Sequence, residues 1–436
     1  MRKIPPLLSI ALGLATAALM PVQPRAASLT TLVNFLLEAT GGNPYAGLIL
    51  DADGNLFGTT RFGGAYGGGT VFEVAKTAAG YTGGLAILSN FFCPAQTVPC
   101  TDGQQPQAGL IADADGNLFG TTRFGGIYGA GFTAPSGFGT VFEVAKTAAG
   151  YPSTYGSTPT TLVSFNNADG AFPLAGLIAD TRGNFFGTTS GGGANGAGTV
   201  FEIARTAGGY ANTPTVLVSF NGTDGASPQA GLIADARGNL FGTTGAGGAN
   251  GAGTVFEITR TAGGYAGTPA ILVSFNGANG ANPVAGLIAD ARGNLFGTTG
   301  AGGAHGQGTV FEIAKTRRGY ADTPTTLYSF CAKSPADGLC NDGANPVAGL
   351  IADADGNLFG TTRVGGLNGE GTVYELTGSG FVPPAAFAGT PGQANCLGKS
   401  VAALARHYGG LLRAAAALGY ANVRALLNAI VAHCEG

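Results

Sequence analysis

The sequence predicts an all-β protein: a six-bladed β-propeller of four-stranded blades, closed by an N-terminal strand and followed by a small C-terminal helical module. Three observations lead to this prediction. A glycine-rich unit occurs six times, and each copy contains short runs of β-prone residues. The sixth copy lacks its fourth run, while the N-terminus carries a spare one. Four strands per unit, repeated along the chain, are typical of propellers.

The composition supports a folded protein and excludes several functional classes. Of the 436 residues, 79 are Gly and 22 are Pro. Only 10% are charged, against about 25% in an ordinary soluble domain. Because 44% are apolar, the chain can build a core, and its glycines serve turns. The lack of Trp excludes a Trp-lined sugar groove, three His disfavour a His-rich metal site, and the net charge of −3 argues against nucleic acid.

Residues 1–27 have the pattern of a secretory signal peptide. Arg2 and Lys3 precede an apolar run from Leu7 to Met20, and small residues follow as far as Ala27. The run is shorter than the roughly 20 residues of a membrane span, and no later segment is long and apolar enough to cross a bilayer. We expect a mature protein that is secreted or periplasmic, or associated with the cell surface. An uncleaved N-terminal anchor is the alternative.

Residues 28–380 contain the six repeats. Each has A-G-L-I, then D-x-x-G-N, then L-F-G-T-T (Phe for Leu in the third copy), a Gly-rich loop, and G-T-V-F-E (Tyr for Phe in the sixth). Val, Ile, Thr and Phe favour strands, and D-x-x-G-N favours a tight hairpin, because Asp bonds its own backbone and Gly accepts positive φ. The copies begin 55 to 67 residues apart, at Ala46, Ala108, Ala175, Ala230, Ala285 and Ala348. This length suits a propeller blade and is short for a sandwich domain of about 100 residues.

The two ends of the repeat region are complementary. The sixth copy stops after the G-T-V-Y-E run that ends at Glu375, and residues 30–35 (T-T-L-V-N-F) match the missing fourth run. We expect residues 30–35 to pair with the strand around Val373 as the outer strand of blade six. A ring closed in this way has no open strand edge.

The six cysteines fall into three pairs that are close in sequence: Cys93 with Cys100, Cys331 with Cys340, and Cys396 with Cys434. In an oxidising compartment such pairs indicate disulfides. Metal binding is the alternative, and it is disfavoured because no His lies near the first two pairs.

Residues 381–395 form a linker, and residues 396–436 have apolar residues at helical spacing. A disulfide would compensate for the small core of this module, which could dock on the ring or stay free.

The repeat G-L-I-x-D-x-x-G-N-L-F-G-T-T…G-G…G-x-G-T-V-F-E resembles the glycine-rich tandem repeat of the GloVer family. These are exported bacterial proteins whose C-terminal anchors differ between members. The resemblance implies a secreted or surface protein of unassigned activity. The repeat is also loosely similar to the G-N-x-Y-V-A-D blades of six-bladed NHL-type propellers. The chain departs from anchored relatives, because it has neither a sortase motif nor a C-terminal apolar span with a basic flank.

Two acidic positions recur in all six copies. The hairpin Asp, as in Asp51, superficially resembles the start of a calcium loop, but Gly stands fourth, no Glu follows at position twelve, and Arg replaces the second Asp in blades three to five. We therefore expect a turn role and no metal. The Glu of G-T-V-F-E, as in Glu73, suggests either a ring of carboxylates on the axis or one ion pair or backbone bond per blade, and we favour the latter.

Blades six, one and two differ from the other three, since each has Arg after L-F-G-T-T where blades three to five have Ser or Gly. In a six-membered ring these three blades are neighbours, and we expect the loops after the second strand to share one face with the blade-to-blade linkers. Arginine with nearby aromatic rings suits an anion, a carboxylate or a sugar acid. The alternative is that the asymmetry records blade duplication, with solvated arginines. The predicted ligand-binding residues are Arg61, Phe62, Tyr66, Arg123, Phe124, Tyr128 and Arg363.

The sequence favours a binding or scaffolding protein at the cell envelope. Its partner would be a small anionic ligand, a glycan or an envelope protein, and we expect a monomer without a cofactor. The alternative is a propeller hydrolase or lyase acting on a polysaccharide or lactone. No G-x-S-x-G, H-E-x-x-H or P-loop motif is present, so no catalytic residue is identified. The sequence does not exclude a catalytic site assembled from carboxylates of several blades.

Overall fold

The computed structural model describes residues 31–383 except 52, 82–83, 94–99, 129–136, 148–156 and 333–339, together with positions 401, 423, 424, 427 and 430. The predicted signal peptide, Cys396, Cys434 and most of the predicted C-terminal module lie outside the described residues. In the described part, helical backbone occurs only at those five C-terminal positions, so the helical module stays a prediction. No helix in the described part is long and apolar enough to cross a membrane.

The described chain is all-β and forms six successive antiparallel sheets, one for each repeat. Sheets one and two consist of β1 (Ile49–Leu50), β2 (Leu56–Thr60), β3 (Gly67–Val74), β4 (Leu85–Phe92), β5 (Ile111–Ala112), β6 (Leu118–Thr122), β7 (Thr140–Val144) and β8 (Thr160–Ser164). Sheet three consists of β9 (Ile178–Ala179), β10 (Phe185–Thr189), β11 (Thr199–Ile203) and β14 (Thr215–Ser219), with a small hairpin of β12 (Arg205–Thr206) and β13 (Gly209–Tyr210).

Sheets four and five repeat this plan, and sheet six has three strands. Sheet four consists of β15 (Ile233–Ala234), β16 (Leu240–Thr244), β17 (Thr254–Ile258) and β20 (Ala270–Ser274), with the hairpin β18 (Arg260–Thr261) and β19 (Gly264–Tyr265). Sheet five consists of β21 (Ile288–Ala289), β22 (Leu295–Thr299), β23 (Thr309–Ile313) and β26 (Thr325–Ser329), with the hairpin β24 (Lys315–Thr316) and β25 (Gly319–Tyr320). Sheet six consists of β27 (Ile351–Ala352), β28 (Leu358–Thr362) and β29 (Thr372–Leu376).

The hairpin between the first two strands of each sheet has the predicted turn chemistry. In sheet one, Asp51 Oδ1 accepts the backbone N–H groups of Asp53 and Asn55 at 3.0 and 2.8 Å, and Asp51 Oδ2 accepts from Asn55 Nδ2 at 2.9 Å. Gly54 has φ +85°. Asn55 Oδ1 in turn accepts the backbone N–H of Lys76, which fixes the turn to the end of β3. The repeated Asp and Asn are therefore structural residues of the turn.

The core lies between successive sheets. Five clusters of buried side chains each combine residues of two neighbouring sheets. At each junction a Phe at the end of the outer strand of one sheet, or directly after it, packs edge-to-face on an aromatic ring of the next sheet's third strand, as Phe165 does on Phe201 at 5.0 Å. Such aromatic pairs contribute about 0.5–1.5 kcal/mol beyond the area that they bury. The same pair occurs at the other four junctions, as Phe91–Phe142, Phe220–Phe256, Phe275–Phe311 and Phe330–Tyr374.

The expected pairing of the N-terminal strand with sheet six is absent from this structure. Residues 31–35 form no strand, and β29 is an edge without a fourth strand among the described residues. Val373 is 81% exposed, whereas its counterpart Val141 is fully buried. On sheet one, Leu48 is 51% exposed, while its counterpart Leu110 is buried. The apolar faces of the first and last sheets thus lack the neighbour that covers every equivalent face.

A residue after β29 completes the last junction in an unexpected way. In sheets three to five the hairpin Tyr packs on a Phe of the preceding sheet, as Tyr265 packs on Phe186. In sheet six Phe381 takes this position and packs edge-to-face on Phe296 at 5.1 Å. A Gly-Tyr pair follows G-T-V-F-E in the first five copies, and Gly380–Phe381 is the sixth version of this pair.

Candidate functional site

The arginines that follow the second strands lie where two chain segments meet. The Arg61 backbone N–H donates to Asn43 O at 3.1 Å, and the Arg123 N–H donates to Gln105 O at 3.2 Å. Asn43 and Gln105 belong to the segments that enter sheets one and two. The loops after the second strands and the linkers between sheets therefore share one face, as the sequence analysis expected.

Arg61 and Arg123 are brought together across the junction of sheets one and two. Arg61 Nε and Nη2 both donate to Gln105 Oε1 at 3.2 Å. The guanidinium carbons lie 4.6 and 4.8 Å from the ring centres of Phe62 and Phe124, which are cation–π distances. Burial lowers the pKa of Arg123, and the positive charge of Arg61 lowers it further. Among the described residues, neither arginine forms an ion pair with a carboxylate.

Unpaired donors accompany this arginine pair. Six buried side-chain atoms in the described part have no hydrogen-bond partner, and four of them are N–H donors of sheets one and two or of the linker between them. They are Asn90 Nδ2, Gln104 Nε2, Gln107 Nε2 and Arg123 Nε. A buried donor without a partner costs about 1–3 kcal/mol. Of these four atoms only Arg123 Nε belongs to the arginine pair, so the pair itself keeps one buried N–H without a partner.

The other predicted binding residues are not part of this group. The Tyr66 ring packs edge-to-face on Phe92 at 4.9 Å, and Tyr128 lines a separate cavity. Arg363 follows β28 on sheet six and is exposed. Among the described residues, no hydrogen bond or ring contact joins Arg363 to Arg61 or Arg123. The structure thus joins Arg61, Phe62, Arg123 and Phe124 and shows no such contact for the remaining three.

The glutamines of this site lie in a linker, outside the repeated motifs that predicted the other site residues. Gln104, Gln105 and Gln107 all lie in the linker between sheets one and two, which reads D-G-Q-Q-P-Q. The corresponding segment between sheets three and four reads D-G-A-S-P-Q, and that between sheets two and three reads D-G-A-F-P-L. A comparison of linkers, in addition to blades, would have shown this local enrichment in amides.

The repeated Glu residues lie near charged groups of their own sheet and, in several copies, of the next sheet. Burial raises the pKa of Glu143, the negative charge of Asp113 raises it further, and Arg205 of the next sheet lowers it. Arg205 Nη1 also lies 3.7 Å from Asp113 Oδ2. The expectation of one ion pair or backbone bond per blade stays a prediction: the base that lowers the pKa of Glu143 belongs to the next sheet, whereas the base that lowers the pKa of Glu312 is Arg292 of the same sheet.

The innermost strands approach each other through glycine. A Cβ added to Gly176 would stand 3.1 Å from the carbonyl oxygen of Gly109 in the preceding sheet. This close approach places backbone, rather than the Glu carboxylates, at the inner edge of the sheets. Among the described residues, no group of three or more His, Cys, Asp or Glu side chains could hold a metal ion.

Two of the three expected disulfides are present. Cys93 is bonded to Cys100, and Cys331 to Cys340. Each closes a short loop before the linker that enters the next sheet. Cys396 and Cys434 fall outside the described residues, and their pairing stays a prediction.

Asp102 is a buried carboxyl next to the first disulfide. It is 8% exposed, and its Oδ2 accepts the backbone N–H of Phe92 at 2.7 Å, whereas its Oδ1 has no partner. Burial raises its pKa to about 6, against the hydrogen bond from Phe92, which lowers it. A carboxyl with this pKa can hold or release a proton close to neutral pH.

We expect Asp102→Asn to increase the free energy of unfolding near neutral pH by about 1–2 kcal/mol. The folded-state pKa lies above that of the unfolded chain, so the folded state holds the proton to a higher pH. Stability is therefore lost as the pH rises from about 4 to about 6. Asn does not ionise, so the Asp102→Asn variant does not lose this stability as the pH rises. Urea unfolding at about pH 4 and about pH 7.5 measures the difference, and an equal effect at both pH values would contradict the assignment.

The comparison with family models identifies the repeat. The model of the Gloeobacter/Verrucomicrobia repeat matches residues 16–155 and 133–339. The chain belongs to this repeat family. The match confirms the resemblance drawn from the G-L-I-x-D-x-x-G-N-L-F-G-T-T motif. No curated protein matches the chain.

Solved structures resemble this family member only remotely. The PQQ-bound aldose sugar dehydrogenase of Streptomyces coelicolor has a TM-score of 0.43 and 14% identity, over 78% of this chain and 96% of that chain. A putative 6-phosphogluconolactonase of Bacteroides uniformis has a TM-score of 0.41 and 15% identity, over 74% and 80%. A PL25 ulvan lyase has a TM-score of 0.41 and 12% identity, over 74% and 82%. At this distance these likenesses say nothing about the activity of the chain.

Proposed function

We propose that the six sheets are the blades of a closed six-bladed β-propeller, with residues 30–35 as the outer strand of blade six. One contact of the linkers supports closure. At each of the five junctions the proline of the incoming linker packs against a Gly of the preceding sheet, as Pro106 packs against Gly69. The first and last sheets each contain one of the two residues of this contact. Pro44, in the segment entering sheet one, is the counterpart of Pro106, and Gly371, in sheet six, is the counterpart of Gly69.

The position of Phe35 supports the same arrangement. Phe35 packs edge-to-face on Phe72 of sheet one at 5.0 Å. This is the contact that the Phe at the end of each outer strand makes with the next sheet, as Phe91 makes with Phe142. The contact of Phe35 with sheet one therefore supports residues 30–35 as the outer strand of a preceding blade.

We propose that this propeller is an exported binding protein, acting in the periplasm, outside the cell or at the envelope. The N-terminal signal pattern and the two disulfides support export. Its ligand is an acidic saccharide or another carboxylate-bearing molecule, and it binds over Arg61 and Arg123. The single observation that carries this proposal is the pair of neighbouring guanidiniums without a carboxylate partner. A bound carboxylate would offset their repulsion and accept planar, charge-assisted hydrogen bonds.

In the closed ring, Arg363 would extend this site. Blade six would stand next to blade one, so the three blades that have Arg after L-F-G-T-T would be consecutive. The exposed Leu367 and Ile127, in the loops after the second strands of sheets six and two, would lie on the same side. In sheets three to five, Ala occupies these positions. The binding face would thus combine charge with apolar surface on one half of the ring.

The test is a titration of tetragalacturonate into the mature protein by calorimetry. We expect Arg61→Ala with Arg123→Ala to weaken tetragalacturonate binding about tenfold to hundredfold, since hydrogen bonds to charged groups contribute about 1.5–3 kcal/mol each. Binding by the unmodified protein should weaken with salt. The control is Arg237→Ala with Arg292→Ala, two arginines in the hairpin turns of sheets four and five. Equal effects of the two double variants, or no dependence on salt, would contradict the proposal.

The second candidate is a hydrolase or lyase acting on a polysaccharide or lactone. The observation that favours it is Asp102, whose buried carboxyl has a pKa of about 6 and an unpaired oxygen beside a cavity. Such a group can serve as a general acid or base. New reducing ends, unsaturated products or opened lactones that disappear in Asp102→Asn would favour this candidate over simple binding.

A further inference from the structure

A cavity of about 430 Å³ lies at the outer side of sheet two. Its wall combines three parts of the chain: the linker around Asp102, the loop residues Ile127 and Tyr128, and the strand β8 with the linker that follows it, as far as Asp169. Asn212, which precedes the outer strand of sheet three, completes it. The volume is within the range of small-molecule binding sites.

The lining of this cavity differs chemically from the arginine pair. It contains hydroxyl groups, the amides of Asn166 and Asn212, the carboxyls of Asp102 and Asp169, and one aromatic ring. No Lys or Arg is among its described lining residues. An anionic ligand would meet carboxyls without a compensating cation. A neutral polyhydroxylated ligand can pair its hydroxyls with all of these groups.

Asp102 supplies an unused hydrogen-bonding atom here. Its side chain is more than nine-tenths buried, and its Oδ1 has no partner. Asp224 holds the equivalent position two linkers later, where its Oδ1 accepts the backbone N–H of Asn221 at 2.8 Å. In Asp102 only Oδ2 accepts a backbone hydrogen bond, from the N–H of Phe92. The repeat architecture therefore accounts for one oxygen of Asp102 and leaves the other without a structural role.

Tyr128 supplies an aromatic surface at the same place. It is 45% exposed, whereas the ring of Tyr66, its counterpart in sheet one, is packed on Phe92. The same loop position carries no Phe, Tyr or Trp in the other four sheets, where it holds Asn195, Asn250, His305 and Asn368. An aromatic face next to hydroxyl, amide and carboxyl groups suits a sugar ring, which is apolar on its C–H face and polar at its edge.

We propose that this cavity is a binding site for a neutral saccharide unit, with Tyr128 against the sugar's C–H face and Asp102 Oδ1 hydrogen-bonded to a sugar hydroxyl. The site does not depend on the arginine pair or on the ligand proposed for it.

The experiment measures binding of xylotetraose, cellotetraose and mannotetraose to the mature protein by calorimetry. We expect at least one of them to bind, and both Asp102→Asn and Tyr128→Ala to weaken it tenfold or more, since a lost hydrogen bond to a buried group costs about 1–3 kcal/mol. Asn keeps the shape of Asp, so the oxygen of the substituted side chain can accept from Phe92 while its amide nitrogen replaces the free oxygen. Thermal unfolding identifies any variant that fails to fold, and Asp169→Asn then supplies a second carboxyl variant.

The controls are Asp224→Asn and Asn250→Ala, which change equivalent positions away from the cavity. They should bind the tetrasaccharide as the unmodified protein does. The double variant Arg61→Ala with Arg123→Ala should also retain it, so the two sites can fail separately. Binding of none of the three tetrasaccharides, or equal weakening by the cavity variants and their controls, would overturn the proposal.

Discussion

A chain that begins at Leu36 is expected to lose its monomeric state and to unfold at a markedly lower temperature than the mature chain that begins at Ser28. The truncation removes residues 28–35, and with them the proposed outer strand of blade six. The edge of β29 and the apolar faces around Val373 and Leu48 would then stay uncovered. Each large apolar side chain that closure buries contributes about 1.5–3 kcal/mol, and an open strand edge favours association.

Light scattering with thermal unfolding measures both effects. A truncated protein that stays monomeric and unfolds at the same temperature would contradict closure by the N-terminal strand. In the five complete sheets the Glu of the third strand pairs with a residue near the start of the outer strand, as Glu143 pairs with Thr160. The repeat alignment assigns Glu375 and Thr30 to these two positions.

A cysteine pair tests closure directly. We expect Thr30→Cys with Glu375→Cys to form a disulfide within one molecule, detected by mass mapping of non-reduced peptides. The matched control is Glu257→Cys with Ala270→Cys, which pair between β17 and β20 in sheet four. A bridge in the control alone would exclude closure, and a bridge between two molecules would show that the ends join between copies.

Gly242→Ala is expected to destabilise the protein by about 1–3 kcal/mol through overpacking. Gly242 is the glycine of L-F-G-T-T in sheet four. A Cβ built on it would stand 2.6 Å from Phe256 Cζ of the neighbouring strand and 2.9 Å from Leu232 Cδ2. Both side chains are buried, so neither can move away without disturbing the core. The same glycine recurs in every copy because the aromatic ring of the third strand lies over it.

Urea unfolding compares this variant with Gly263→Ala, a turn glycine whose added Cβ would meet nothing within 4 Å. The control should unfold within about 0.5 kcal/mol of the unmodified protein, as most surface changes do. In a Phe256→Leu background, Gly242→Ala should cost less stability than in the unmodified protein, because the clash with Cζ is absent there. Equal stability of the two glycine variants would show that the ring does not restrict this position.

The repeat sequence by itself determined the organisation within each unit. The β-prone runs predicted the strands, and D-x-x-G-N predicted the hairpin in which Asp51 bonds its own backbone. The sequence-local cysteines predicted the two disulfides that the structure contains. These features join residues close together in the chain, so turn chemistry and residue spacing are sufficient to specify them.

Only the tertiary structure decided which units meet and through which side chains. Arg61 and Gln105 are 44 positions apart, and nothing in the periodicity of one repeat relates them. The same holds for Arg205 and Asp113, whose charged atoms lie 3.7 Å apart although they belong to two different sheets. The stacking of successive sheets sets such contacts, because it places the loop of one repeat on the linker of the next. That packing depends on buried surfaces of two units at once, which the pattern of a single unit does not contain.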